Sequence, residues 1–116
     1  MIAKLEISGI HAEVDEELEK YTRRKIGELD KYVPRRARPS LHAEVKLKEA
    51  KAKDKRRCTC EVVIFLPHEA LTISESDVNM YAAIDIVETK LKQRLRKYKE
   101  LHGGSRLRHH VARRLK

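Results

Sequence analysis

Apolar residues recur along the chain with two different periods, and these periods predict six elements. A period of two, typical of half-buried strands, covers four segments at about residues 3–8, 41–48, 58–66 and 71–74. A period near 3.6, typical of amphipathic helices, covers residues 15–33 and a longer segment from about 77 to 102. The predicted order is therefore β-α-β-β-β-α. Because each strand has one apolar face, this order predicts an α+β two-layer sandwich, in which both helices cover one face of a four-stranded, mostly antiparallel sheet. The first crossover allows the first two strands to pair in parallel.

Polar residues and prolines predict where these elements begin and end. Asp15 offers a side-chain oxygen as the N-cap of the first helix, and Pro34 should end that helix. Residues 34–39 are then expected to form an extended basic connector. Further expected boundaries are a hairpin turn within residues 49–57, a cap at Ser76 or Asp77 before the second helix, and Gly103-Gly104 after it.

The second helix carries one apolar stripe with a row of basic residues on each side of it. With Ile84 at its centre, the stripe contains Met80, Val87, Leu91, Leu95 and Tyr98. One flank holds Lys90, Arg94 and Lys97, and the other holds Lys92, Arg96 and Lys99. Each row has the spacing i, i+4, i+7, so its members are neighbours on the helix surface. Such a helix can pack on a core and present positive charge to a polyanion.

A third, weaker cationic row follows the exposed side of the first helix. It consists of Lys20, Arg24 and Lys31, and the basic connector adds Arg35 and Arg36. We therefore expect these residues to contribute to the same polyanion-binding surface.

The overall charge agrees with a polyanionic partner. The 116 residues carry a formal net charge of +9 with a pI near 9.7, which favours nucleic acid or an anionic surface over a neutral ligand. The length predicts one domain, residues 1–102, and a basic flexible tail, residues 103–116, that orders on nucleic acid. No apolar run approaches the ~20 residues that span a bilayer, and the N-terminus lacks the apolar region of a signal peptide. We therefore expect a cytoplasmic location.

Residues that carry catalytic or metal chemistry do not form a recognisable motif in this sequence. There is no P-loop, no Gly-x-Gly-x-x-Gly, no His-Glu-x-x-His and no Gly-x-Ser-x-Gly. Cys58 and Cys60 lie on one face of a predicted strand, where core packing is favoured over a metal or redox role. We expect neither an enzyme nor a cofactor, metal ion or small-molecule substrate.

The motif on the second helix resembles the family of ribosome hibernation-promoting factors. This family includes the ribosome-associated inhibitor proteins, and its members are often named sigma-54 modulation proteins. The resemblance covers about residues 2–102 and is most specific in residues 79–85 (NMYAAID), followed by Lys90-Leu91, Arg94-Leu95 and Lys97. A looser match on the first helix consists of Leu18, Tyr21, Lys25, Ile26, Leu29 and Tyr32. The family usually has Asp where Asn79 stands, and its longer members carry a further C-terminal dimerisation domain.

The resemblance implies that the chain binds the small ribosomal subunit and its rRNA, and we expect it to be a monomer or weak dimer. The expected site is the channel used by mRNA and tRNA anticodon ends, where occupancy alone blocks initiation. The cationic rows would then contact rRNA phosphates, which set affinity and position more than sequence specificity.

Two other functions remain open from the residues themselves. A free double-stranded-RNA-binding domain has the order α-β-β-β-α, which is contained in this one, but it places its Lys cluster at the start of its second helix. Here residues 78–84 at that start are uncharged, and the basic residues follow about two turns later.

The second alternative is a regulatory protein-binding module of the sigma-54 modulation type. Such a module could use the apolar Val63 and Phe65 on the open side of the sheet. Packing of the sheet face in a dimer would explain these two residues equally well.

Overall fold

Four strands form one mixed sheet, and two helices cover a single face of it in the computed structural model, which describes residues 1–52, 55–67 and 69–102. In chain order the elements are β1 (Lys4–Ile10), α1 (Glu16–Gly27), the 3₁₀ helices η1 (Glu28–Tyr32) and η2 (Arg35–Ser40), β2 (His42–Ala52), β3 (Lys55–Phe65), β4 (Ala70–Asp77) and α2 (Met80–His102). The predicted fold class and element order are confirmed. The expected tail (residues 103–116), the Gly103-Gly104 helix end and the turn at Lys53-Asp54 lie outside the described residues.

The sheet has the strand order β1-β2-β3-β4. β1 pairs with β2 in parallel, so that Leu5 lies opposite Ala43, whereas β2–β3 and β3–β4 are antiparallel. The parallel pair follows from the long crossover through α1, η1 and η2, which returns the chain to the same end of the sheet before β2 begins.

Alternate strand residues and the two helical stripes form one core. All six predicted stripe residues of α2 are buried: Met80, Ile84, Val87, Leu91, Leu95 and Tyr98. From the sheet they meet Leu5, Ala43, Val45, Leu47, Val62 and Ile64, and from α1 and η1 they meet Leu18, Ile26 and Leu29. The predicted apolar period of both helices is thus confirmed. Within the described residues, no helix combines the length and apolarity needed to cross a bilayer.

The first helix begins as predicted but ends earlier. The Asp15 carboxylate accepts a hydrogen bond from the Leu18 backbone N–H at 2.8 Å, as expected of an N-cap. The α-helix ends at Gly27 rather than at Pro34, and the chain continues as η1. The Gly27 carbonyl accepts a hydrogen bond from the Ile2 N–H at 2.9 Å, and a Cβ at Gly27 would lie 3.0 Å from Met1 Cγ. The N-terminal segment therefore packs closely against this end of the helix, and a larger residue at Gly27 would require the Met1 side chain to shift.

The predicted extended connector at residues 34–39 is wrong, because the chain folds there into η2. The Arg38 guanidinium donates to the carbonyl oxygens of Asp30 at 2.9 Å and Val33 at 3.0 Å, which ties η2 to the end of η1. Ala37 is buried in the core beneath this turn. Arg38 is therefore a structural cation, whereas Arg35 and Arg36 are exposed in the first turn of η2.

The boundaries of the last three elements also differ in detail from the sequence prediction. The β2–β3 hairpin exists, but pairing continues to Ala52 opposite Lys55, so most of the expected turn is strand. β4 pairs up to Asp77, which leaves Asn79 as the cap of α2 in place of Ser76 or Asp77. The Asn79 side-chain oxygen accepts from the Tyr81 N–H at 2.8 Å. The family that the sequence resembles usually has Asp at position 79. Asp and Asn are equally good N-caps, so both residues can serve this role.

Both cysteines pack in the core, as predicted from their alternation. Cys58 and Cys60 are free thiols with no exposed surface. Burial raises the pKa of the Cys60 thiol to about 12, so its neutral form persists at physiological pH.

We expect both thiols to resist alkylation at pH 8 while the protein is folded, because attack requires an exposed thiolate. In denaturant, two thiols per chain should react within the mixing time of a colorimetric thiol assay. Replacing both cysteines with Ala should lower stability modestly and leave partner binding intact. Rapid labelling of the native protein, or stoichiometric zinc that the double variant loses, would contradict the packing role.

Candidate nucleic-acid interface

The basic residues of α2 lie on two flanks of the helix, as the helical period of the sequence predicts. The two flanks face different neighbours. Lys90, Arg94 and Lys97, which we call the β4-side row, line a groove together with Thr72, Ser74 and Glu75 of β4. Lys90 Nζ lies 2.6 Å from the Glu75 carboxylate, so its charge is largely compensated. Arg94 and Lys97 are exposed and form no ion pair within the described residues. The free charge of this row is therefore at its C-terminal end.

The other flank packs beside η1 and includes an aromatic ring. We call Lys92, Arg96 and Lys99 the η1-side row. The Arg96 guanidinium lies 5.2 Å and Lys92 Nζ 5.8 Å from the centroid of the Tyr32 ring, and Lys31 Nζ lies 5.3 Å from the same ring. Cations at such distances are attracted to the ring face, so Tyr32 restrains three of them on one surface. Lys99 is exposed one turn further along α2.

The predicted row on α1 does not form one continuous surface. Lys20 pairs with Glu16 at 3.1 Å, and Arg24 lies 5.5 Å from the centroid of the Tyr21 ring. Lys31 belongs instead to the Tyr32 cluster on the η1 side of α2. The structure thus brings Lys31 to the helix rows and leaves Lys20 compensated by a neighbouring carboxylate.

Tyr21 and Asp85 join α1 to α2 next to this surface. The Tyr21 hydroxyl donates a hydrogen bond to the Asp85 carboxylate, and Lys25 Nζ lies 3.6 Å from the same carboxylate. The hydrogen bond to Asp85 and, secondarily, burial raise the pKa of Tyr21 to about 12. The Tyr21 ring also meets Tyr81 edge to face at 4.9 Å. This contact keeps the positions of the two helices fixed relative to each other.

Arg36 of η2 is coupled electrostatically to Tyr98 of α2. Burial raises the pKa of the Tyr98 hydroxyl and Glu69 adds to the rise, whereas the positive charge of Arg36 opposes it. The charge of Arg36 thus acts on Tyr98 in the C-terminal half of α2, and Arg35, the preceding residue, is exposed. The cationic face, as we define it, consists of Lys31, Arg35, Arg36, Lys92, Arg94, Arg96, Lys97 and Lys99.

Sequence reasoning missed the partners that organise this face. Tyr32 restrains the η1-side row, Glu75 compensates Lys90, and Arg38 holds η2 in place. Of these three residues, only Tyr32 could have been recognised from the sequence, because it is an aromatic residue directly after Lys31 at the end of the first amphipathic segment. The other two contacts join residues on different elements and have no local sequence signature.

One group of side chains in the described part of the chain could approach a metal ion. Glu6, His42 and Glu44 lie on the open face of the sheet, with His42 Nε2 4.0 Å from the Glu6 carboxylate. Tetrahedral zinc with bonds of about 2.1 Å holds its ligand atoms roughly 3.4 Å apart, so this group is too open to be a preformed site. The His42 ring instead stacks on Phe65, with 5.1 Å between the ring centroids.

Residues 5–102 match the family model described as Sigma 54 modulation protein / S30EA ribosomal protein. The ribosome hibernation promotion factors of Lactococcus lactis subsp. cremoris and Staphylococcus aureus are 32% and 30% identical over 96 residues, which make up 83% of this chain. The match covers 49% and 48% of these two relatives, so the chain spans about half the length of the curated relatives it matches.

Two solved structures share the fold. The crystal structure of the Thermus thermophilus Protein Y N-terminal domain aligns with a TM-score of 0.66 at 28% identity, covering 84% of this chain and 97% of that one. A ribosomal subunit interface protein from Coxiella burnetii aligns with a TM-score of 0.65 at 18% identity, covering 83% of this chain and 97% of that one, and supports the fold alone. From the match to the family model over nearly all described residues, we conclude that this chain belongs to the Sigma 54 modulation protein / S30EA ribosomal protein family.

Proposed function

We propose that the chain is a hibernation factor that binds the small ribosomal subunit and inhibits translation by occupying the mRNA–tRNA channel. The cationic face would hold it there through rRNA phosphates. The observation that carries the proposal is the concentration of exposed cations on the C-terminal half of α2, where Arg94, Lys97 and Lys99 form no ion pair within the described residues. The names of the Lactococcus and Staphylococcus relatives support the same function.

The two rows suit a partner that presents phosphates on two sides. They lie on opposite flanks of one helix, whose diameter with side chains is about 10–12 Å, so separate strands of folded RNA can be contacted at once. Arg94 and Arg96 can each bind a phosphate through two parallel hydrogen bonds. Because Tyr32 already restrains Lys92 and Arg96, binding costs less conformational entropy on that flank than it would with free side chains.

Such contacts require no chemistry from the protein. Phosphate contacts set position and affinity, and the shape of the RNA provides most of the specificity. We therefore propose inhibition by steric exclusion, without catalysis or a cofactor, by a cytosolic protein that is a monomer or weak dimer. Residues 1–102 would provide the site, and the basic segment 103–116 would add electrostatic attraction.

The two alternative functions have less support from the geometry. A free double-stranded-RNA-binding domain needs cations at the start of α2, but Asn79 caps that end and the first turn carries no basic residue. For a regulatory protein-binding module, the apolar patch on the open face is small. Phe65 is 38% exposed and stacks on His42, and Val63 is only partly exposed.

Sedimentation with purified subunits tests the proposal. We expect the protein to comigrate with the small subunit in a sucrose gradient, to dissociate as salt is raised, and to be displaced by mRNA together with initiator tRNA. The affinity should fall steeply with salt because each phosphate contact contributes about 0.7–0.9 to the slope of log affinity against log salt. Comigration with the large subunit alone, or equal affinity for a free RNA duplex, would overturn it.

A further inference from the structure

The β2–β3 hairpin extends beyond the rest of the sheet. The last pair between β1 and β2 is Ile10–Lys48, and the last pair between β3 and β4 is Cys58–Asp77. The β2–β3 ladder continues past both, through Ala50–Arg57, Lys51–Arg56 and Ala52–Lys55. Residues 50–52 and 55–57, which we call the arm, therefore form a two-stranded ribbon with no strand on either side.

The arm adds positive charge, and none of its side chains that the structure describes belongs to the core. Lys51, Lys55, Arg56 and Arg57 are exposed, and Ala50 is exposed as well. The last buried residues of the two strands are Leu47 and Cys58, so a turn at that level would retain the whole core. Lysines can also serve to keep a strand edge from aggregating. A short ribbon is only marginally stable without a third strand, so an arm this long is better explained by a partner than by the stability of the fold.

Basic residues lie on both faces of the arm, and one of them is paired with a carboxylate. Strand alternation places Arg56 on the helix side, where it pairs with Glu49 at 2.9 Å and lines a depression that also contains Glu13 and Asp15. Lys55 and Arg57 lie on the open face, and the small side chain of Ala50 opposite Arg57 leaves the guanidinium uncovered. Lys51 lies opposite Arg56 on the helix side and is also exposed, so the arm is basic on both faces, and Lys55 and Arg57 are its two cations on the open face.

The arm and the cationic face are at opposite ends of α2. Arg56 lies with Val78 and Met80 around the start of this helix, whereas the basic rows occupy residues 90–99. At about 1.5 Å per residue, the separation along the helix is roughly 15–29 Å. The arm and the cationic face are therefore too far apart to bind the same phosphate.

We propose that the arm is a second RNA-binding element, in which Lys55 and Arg57 contact phosphates of an rRNA segment different from the one held by the cationic face. This inference rests on the proposed function, because it takes the ribosome as the partner. Two weak contacts on one rigid domain bind cooperatively, since the first raises the effective concentration of the second. Accordingly, the arm increases affinity and fixes the orientation of the domain on the subunit.

The test compares three double variants of the full chain with matched charge changes. The arm variant is Lys55→Gln with Arg57→Gln, the helix variant is Arg94→Gln with Lys97→Gln, and the control is Lys4→Gln with Lys46→Gln on the open face. Affinity for the small subunit is measured across a salt series, and bound rRNA is mapped by hydroxyl-radical footprinting. Thermal melting confirms that each variant is folded.

We expect the arm variant to bind about tenfold or more weakly and its salt slope to fall by about 1.4–1.8, as for two lost phosphate contacts. It should also lose protection at an rRNA segment that the helix variant still protects. Affinity and footprint equal to those of the control would overturn the arm proposal alone, provided that the helix variant is impaired. If the helix variant also bound like the parent, the proposed function itself would fail.

A photoreactive diazirine side chain in place of Ala50 distinguishes RNA from a protein partner. We expect an adduct with rRNA after irradiation of the bound complex. An adduct with a ribosomal protein and none with rRNA would show that the arm binds protein, and would overturn its role in RNA binding.

Discussion

Replacing Arg94 and Lys97 with glutamate should weaken binding to the small ribosomal subunit by about 100-fold or more. Charge-assisted hydrogen bonds contribute about 1.5–3 kcal/mol each, so losing two of them costs at least about 3 kcal/mol before any repulsion from the new carboxylates. Both side chains are exposed and lie outside the buried stripe, so the fold should be unaffected. The fraction of protein that cosediments with the subunit and the inhibition of translation in a purified system should fall together, because inhibition depends on how many subunits are occupied.

Lys90 is left out of this variant because of its partner. Lys90→Glu would place two carboxylates together at Glu75, and the resulting repulsion would confuse a loss of binding with a loss of stability. Arg96→Glu with Lys99→Glu is the matched change on the η1 side and tests whether both flanks contact RNA. Lys4→Glu with Lys46→Glu on the open face has the same change in net charge. If the Arg94 and Lys97 variant bound like this control, the cationic face would be only a solvated surface.

Truncation of Leu91 to alanine should have the largest effect on stability, about 2–5 kcal/mol. Leu91 is fully buried in the centre of α2, where the helix packs on β3 and β4, so the substitution leaves a cavity as well as losing apolar contacts. The free energy of unfolding from urea titration measures the loss.

Leu101→Ala provides a control with the same chemical change on the same helix. The Leu101 side chain is 59% exposed, and we expect a change within about 0.5 kcal/mol. A loss of less than half a kilocalorie for Leu91→Ala would mean that α2 does not pack as described.

The parts of the fold that could be predicted are those specified by repeated local patterns. The α2 stripe repeats over five turns, so one misplaced residue would not have obscured it, and all six of its members are buried. The N-cap at Asp15 was also predictable, because the residue and its partner Leu18 are only three positions apart. Strand alternation similarly identified which of the β2 and β3 residues face the core.

Contacts between distant residues account for the features that the sequence did not reveal. η2 forms because the Arg38 side chain reaches back to carbonyls in and beyond η1, and proline spacing carries no information about that. The cap of α2 moved to Asn79 because β3 keeps β4 extended up to Asp77. In the candidate site, the two rows on α2 followed from helical periodicity, whereas the compensation of Lys90 and Lys20 depended on rotamers and partners.

The division of α2 into an inward stripe and outward flanks has a consequence for how this protein can change over evolutionary time. In many proteins a better binding site is obtained at the expense of stability, because the same side chains serve both. Here the stripe residues are buried and the exposed cations of the two rows are not part of the core, so substitutions can alter one property at little cost to the other. Affinity for the proposed polyanionic partner is therefore free to adjust to the ionic conditions of a cell, one surface residue at a time, while the scaffold stays the same.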